Sequence, residues 1–302
     1  RKESSALKKL FPVLLAFTML FVTACANKQE SKQDHKISVY TTVYPLEYVT
    51  QQIGGKYVSV KTIYPPGTDE HTYEPSQKDI LKLADSDFFF YIGLGLEGFA
   101  NKAKQVLEGQ NVKMMALGDR LPVPDKTSTK ADPHVWLDPI YVKQMAGMIT
   151  TQLSKKMPKQ KTYFKKNYAQ LAKKLDQVNA AYKQAVEKSD NKELVVSHAA
   201  YGYWVKRYGI KQIPIAGLST SDEPSQKQLE NIIQKVKQDH ISYIVFEKNV
   251  PSKIAEVVQQ ETNTKAVYIH HLGVRTNAEI KAHKDYFTLM DDNLKALEKA
   301  LQ

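Results

Sequence analysis

The sequence predicts an α/β fold: two (β/α) lobes with parallel-type sheets, joined by a single long rigid helix. Three observations predict it. Short β-branched or aromatic runs alternate with amphipathic helical stretches up to about residue 150. A long stretch without Gly or Pro interrupts that alternation, which then resumes to the end of the chain.

In chain order, residues 1–24 read as a secretory signal: Arg1, Lys2, Lys8 and Lys9 precede an uncharged run from Leu10 to Val22, too short to span a membrane comfortably. Val22-Thr23-Ala24-Cys25 looks like a bacterial lipobox, so Cys25, the sole cysteine, is expected to carry a lipid and the mature chain to hold no disulfide. Residues 25–36 are polar and charged with nothing to bury, and read as a lipid-anchored flexible tether.

The first lobe is expected over 37–150, with strands at 37–44, 57–64, 87–93 and 111–117, each bounded by Pro, Gly or Asp. LEYVTQQIG and SQKDILKLADS are helices between them. Residues 151–191 are assigned to the linking helix, because Phe164, Tyr168, Leu171, Leu175, Val178, Tyr182 and Ala185 recur at spacings of three and four within 159–190. The second lobe, 192–302, carries strands at 193–198, 211–217, 241–248 and 264–269 and ends in the helix DYFTLMDDNLKALEKAL. A cleft between two such lobes is the natural ligand site. The triplet Glu-Pro-Ser occurs in both lobes, at 74–76 and 223–225, where Glu74 and Glu223 are expected to cap the helices that follow.

The formal net charge is +11 for the whole chain. Its lysines are scattered along amphipathic helices rather than interleaved with aromatics, so they read as a solvated surface facing anionic lipid or cell wall, and nucleic-acid binding is set aside.

Three histidines occupy the same setting, the end of a strand or the loop after it: His71 in PPGTDEHTYEPS, His134 in DPHVWLDP and His198 in VVSHAAYGY. In open α/β sheets, side chains at the carboxyl ends of the strands converge on ligands. Three neutral imidazoles and one oxygen donor make a tetrahedral site suited to zinc, and the flanking prolines (Pro65, Pro66, Pro75, Pro133, Pro139) stiffen the loops that would hold them. Asp132 and Asp138 flank His134, and each is read either as a partner for its second ring nitrogen or as a surface cap. Tyr73, Trp136 and Tyr201 are expected to wall the cleft. His35, His240 and His283 are expected to be solvated, with His270 left open.

The segments PPGTDEHTYEPSQKDI, DPHVWLDP and SHAAYGYWVKRYGIKQIPIAGLSTSDEPS resemble the matching motifs of the zinc and manganese solute-binding lipoproteins of ABC importers, the cluster A-I (cluster 9) family. The resemblance covers essentially the whole mature chain. It implies a metal site in the interlobe cleft with ligands at His71, His134 and His198, where the histidine at 198 resembles the zinc branch and a glutamate the manganese branch. It also implies delivery of Zn2+ to a membrane permease by a monomer anchored to the outer face of the bacterial cytoplasmic membrane.

Two departures accompany the resemblance. The segment GDRLPVPDKTSTKA (118–131) stands where zinc members often carry a His- and acid-rich insertion. Gly273 falls about where their fourth ligand, a carboxylate, is expected, which shifts that role to His271, Glu279 or water, with Glu247 close to the cleft. The competing readings are a manganese receptor of the same family, a surface adhesin on the same scaffold, and a secreted zinc hydrolase. Against the last, no HExxH, GxSxG or P-loop spacing occurs.

Overall fold

The computed structural model describes residues 36–124, 131–248 and 250–302, so the signal, Cys25, His35 and nearly all of the tether lie outside the described part. Two four-stranded sheets form, in the orders β2-β1-β3-β4 and β6-β5-β7-β8. Every pairing within the two sheets is parallel. The first sheet comprises β1 (Ile37–Thr41), β2 (Val58–Thr62), β3 (Phe88–Tyr91) and β4 (Lys113–Ala116); the second comprises β5 (Glu193–His198), β6 (Lys211–Ala216), β7 (Tyr243–Glu247) and β8 (Lys265–Ile269). Phe88, Phe89 and Phe90 of β3 are all buried, as a central strand covered on both faces requires.

Several strands are shorter than their apolar runs. In the first case the cause is local: Val43 stands at the N-cap position of α1 (Tyr44–Gly54) and Pro45 lies in its first turn, so the chain turns helical inside the run 37–44. The helices α2 (Gln77–Leu83) and α7 (Gln226–Gln238) follow the two Glu-Pro-Ser triplets, but the caps are the serines rather than Glu74 and Glu223. Ser76 Oγ accepts from Asp79 N and Ser225 Oγ from Gln228 N, the reach a short side chain has at that position.

The linking helix also differs from expectation. Residues 151–156 belong to α4 (Pro139–Lys156), and a separate helix, α5, runs Lys161–Lys188. The break falls at Met157-Pro158: proline has no N–H to continue the ladder and disfavours a helical residue before it, and Met157 sits at φ −132, ψ 75. Helix α5 has 28 residues and is about 42 Å long at 1.5 Å per residue. It buries Phe164, Leu171, Leu175, Tyr182 and Val186, each contributing roughly 1.5–3 kcal/mol relative to an exposed position. Its first half is tied to the first lobe by Asn167 Nδ2 donating to the Ile53 carbonyl, and its second half to α10 (Tyr286–Ala300) by the Tyr182 hydroxyl donating to the Met290 carbonyl. The remaining helices are α3 (Ala100–Val106), α6 (Gly202–Tyr208), α8 (Lys253–Thr262) and α9 (Asn277–Lys281). Among the described residues no helix is long and apolar enough to cross a membrane.

Candidate metal centre

Two of the three histidines follow a strand and the third ends one. His71 lies in the loop after β2, His134 heads the 3-10 turn Val135–Leu137 after β4, and His198 is the last residue of β5. The structure brings them together. His134 Nε2 lies 3.1 Å from His71 Nε2 and 3.2 Å from His198 Nε2. Nitrogens bound to one tetrahedral zinc at 2.0–2.1 Å stand about 3.3 Å apart, so the spacing fits a single ion. His134 and His198 are buried, and His71 is half-buried on the solvent side.

Two of the rings are held by carboxylates at their far nitrogen. Asp132 Oδ1 lies 2.8 Å from His134 Nδ1 and also accepts its backbone N–H at 3.0 Å. Glu247 Oε1, at the end of β7, lies 3.1 Å from His198 Nδ1 and accepts from the Tyr201 hydroxyl. A proton placed on Nδ1 by its carboxylate leaves the Nε2 lone pair facing the other rings, the carboxylate–histidine arrangement of zinc sites. Asp138, by contrast, caps α4 by accepting from Ile140 N and Tyr141 N, and pairs with Arg207. Of the two flanking aspartates, one orients the histidine and the other starts a helix.

Electrostatics separate two of the imidazoles. Burial, with the neighbouring His134, pushes His71 down to about 4. Burial also opposes charge on His198, but the Glu247 carboxylate outweighs it and holds His198 above its ordinary value, while His198 in turn keeps Glu247 below its own.

Neither residue proposed for the fourth position joins the group. His271, buried after β8, places Nδ1 2.9 Å from Glu70 Oε1. The Glu70 charge outweighs burial there and lifts His271 to about 9, while His271 brings Glu70 down to about 2 against its own burial. Glu279 caps α9 and accepts from His270 Nε2. Glu70 was visible in the sequence beside His71, yet nothing there announced that it would reach His271, 201 residues away.

The walls are as expected in part. Trp136 lies 5.1 Å from the His134 ring and donates its Nε1–H to the His271 carbonyl at 2.8 Å, Tyr201 backs Glu247, and Tyr73 packs edge-on against Tyr64. A cavity of about 260 Å³ opens beside His198, bordered by Ser197, Thr220, Glu223 and Lys253. Both His240 and His283 are exposed, each at positive φ.

Two parallel α/β sheets bridged by a long helix, with three imidazole nitrogens converging from both halves, define a two-lobed α/β protein with a candidate metal site between its halves. The chain belongs to the family described as "ZnuA: Zinc-uptake complex component A periplasmic", which matches residues 39–300. It is 33% identical over 307 residues to the zinc-binding lipoprotein AdcA of Streptococcus pneumoniae, covering 97% of this chain and 61% of that protein. It therefore spans about three fifths of that relative's length. It is 31% identical over 310 residues to the high-affinity zinc uptake system protein ZnuA of Bacillus subtilis, covering 95% of this chain and 96% of that protein. The Zn(II)-bound ZnuA-like domain of Streptococcus pneumoniae AdcA superposes with a TM-score of 0.76 at 34% identity, covering 88% of this chain and 98% of that domain.

Proposed function

We propose that this chain is an extracytoplasmic zinc receptor that binds one Zn2+ through His71, His134 and His198 and hands it to the permease of an ABC importer, with no bond chemistry of its own. The observation that carries the reading is the convergence of three Nε2 atoms at 3.1 and 3.2 Å, two of them oriented by carboxylates at Nδ1. A nitrogen-rich donor set favours zinc, because divalent affinity rises from Mn2+ to Zn2+ and manganese sites compete through hard oxygen ligands. The family and the relatives named above, a zinc-binding lipoprotein and a zinc-uptake protein, support the same cargo. Anchoring through a lipid on Cys25 to the outer face of the cytoplasmic membrane, and action as a monomer, complete the proposal.

Competition titration of the metal-free protein with Zn2+ and Mn2+ against a chromophoric chelator tests it. One zinc per chain is expected, bound at least about a hundredfold tighter than manganese, and His134→Ala should weaken zinc by about a hundredfold or more while circular dichroism stays unchanged. Equal affinity for the two metals, or zinc binding indifferent to His134→Ala, would overturn the reading.

A further inference from the structure

In each sheet the chain steps from its first strand to one side and then crosses back, so the order reverses between β1 and β3 and again between β5 and β7. Open α/β sheets take ligands in the crevice outside the carboxyl ends of such a strand pair. The first lobe fills that crevice from within. Glu97 is buried there, and its carboxylate accepts from the Thr42 hydroxyl just past β1 at 2.8 Å and from the Ile92 and Gly93 amides just past β3 at 2.9 and 2.8 Å.

At the same place in the second lobe lies the cavity of about 260 Å³ beside His198, walled from β5 by Ser197, from beyond β6 by Thr220 and Glu223, and from the start of α8 by Ser252, Lys253 and Ile254. Glu247, at the end of β7, is committed to His198 Nδ1 and the Tyr201 hydroxyl, so it does not serve here as Glu97 does in the first lobe. Donors for a carboxylate are nonetheless gathered. Ser197 is 4% exposed, and its hydroxyl bonds to no described residue although it lines the cavity. A buried hydroxyl of that kind calls for an acceptor. The Lys253 and Ile254 amides precede the first intrahelical acceptor of the ten-residue α8, at the end of the helix that favours negative charge. Ser252 Oγ accepts from Ala255 N, which leaves its own proton to donate, and Lys253 adds a full positive charge. The Thr220 hydroxyl is already spent on Asp69. One acid, the exposed Glu223, borders the same space and forms no ion pair with Lys253.

We propose that this cavity binds a free amino acid: its carboxylate is received by Ser197, Lys253 and the first amides of α8, as Glu97 is received by its own donors, and its ammonium group faces Glu223. The volume suits so small a ligand, since sites for drug-sized molecules run from about 300 Å³ upward. His198 borders the same cavity, so zinc and the amino acid are neighbours and each should change the affinity of the other by one common factor. That coupling rests on the three-histidine reading above, whereas the cavity does not.

The test is calorimetric titration of the metal-free protein, and then of the zinc-loaded protein, with the common amino acids one at a time, and with succinate and inorganic phosphate as anions that lack the ammonium group. Starting without metal removes chelation of zinc as a source of heat. At least one amino acid should bind one to one with Kd below about 1 mM. Ser197→Ala and Lys253→Gln should each weaken it by about tenfold, and Glu223→Gln should weaken the amino acid while leaving succinate no weaker. Lys253→Gln and Glu223→Gln change exposed side chains, so they decide the matter should Ser197→Ala melt early. Binding by no amino acid, binding indifferent to both of those variants, or phosphate binding tighter than every amino acid overturns the inference. The metal-free His134→Ala protein keeps the two readings apart: it should bind the amino acid as the parent does, and loss of binding there would assign the heat to the histidine site and overturn the proposal.

Discussion

At the scale of single residues, zinc has to compete with protons, and it does so at His71 and His198 on unequal terms. His71 is pushed down to about 4 by burial and its His134 neighbour, so it is neutral throughout the physiological range. His198 is held above its ordinary 6.5 by Glu247 in spite of burial, so in the metal-free protein it takes up a proton at higher pH than His71 does. Coordination needs neutral imidazole, so affinity should be flat above the His198 transition and fall by about tenfold or more per pH unit below it, with His71 adding its proton only near its own low value. Glu247→Gln removes the charge that holds His198 up, so the fall should begin at lower pH. Zinc affinity measured from pH 8.5 to about 5 in both proteins checks this, and a pH-independent affinity in the parent would count against coordination by these rings. The three converging histidines were legible in the sequence because each sits at the end of a strand or in the chain that follows one. Asp132 and Asp138 were not separable, since both flank His134 at short range; only the backbone turn that lets Asp132 accept from both the His134 amide and its ring decides between them.

At the scale of elements, α9 shows how a residue expected near the metal serves a helix. Glu279 is the third residue of this five-residue helix, and its carboxylate accepts from Thr276 N, Thr276 Oγ1 and His270 Nε2 at 3.0, 2.9 and 3.0 Å. Its pairing with His270 is a hydrogen bond and not an ion pair: burial pushes His270 below its ordinary value, and its Nδ1 accepts from Leu272 N. Burial would raise Glu279, but the donors outweigh it and bring it from 4.5 to about 2. A carboxylate depressed by folding contributes stability that is present above 4.5 and lost as the pH falls toward 2. Glu279→Gln should therefore cost about 1–3 kcal/mol at neutral pH. That gap, read from urea melts, should close between pH 4.5 and about 2, and a gap constant with pH would refute the assignment. Strand and helix periodicities were readable in the sequence at this scale, whereas the separation of α4 from α5 rested on Pro158, just outside the uninterrupted stretch that suggested one helix.

At the scale of the whole molecule, the seam between the two sheets includes several hydrogen bonds that end on main-chain carbonyls. Trp204 Nε1 donates to the Leu137 carbonyl, the Tyr203 hydroxyl to that of Asp132 and Trp136 Nε1 to that of His271, while the Tyr44 amide donates to the Gly273 carbonyl. Carbonyl acceptors carry no signature of residue type, so this seam could not be read from the sequence even though both sheets could. Its bonds are buried or nearly so and α5 spans both halves, whereas the Thr220 hydroxyl reaches Asp69 across the mouth of the site through one partly buried contact. Zinc binding should therefore reorder the loops at that mouth and leave the lobes in place. Small-angle scattering should give a radius of gyration near 19 Å for a compact chain of this length, changing by less than about 1 Å on loading with zinc. Thr220→Val should speed zinc dissociation several-fold without changing the melting temperature, because it loosens the mouth and leaves the seam intact. Compaction by about 2 Å or more on loading would mean that α5 flexes as a hinge and that the seam opens in the metal-free protein.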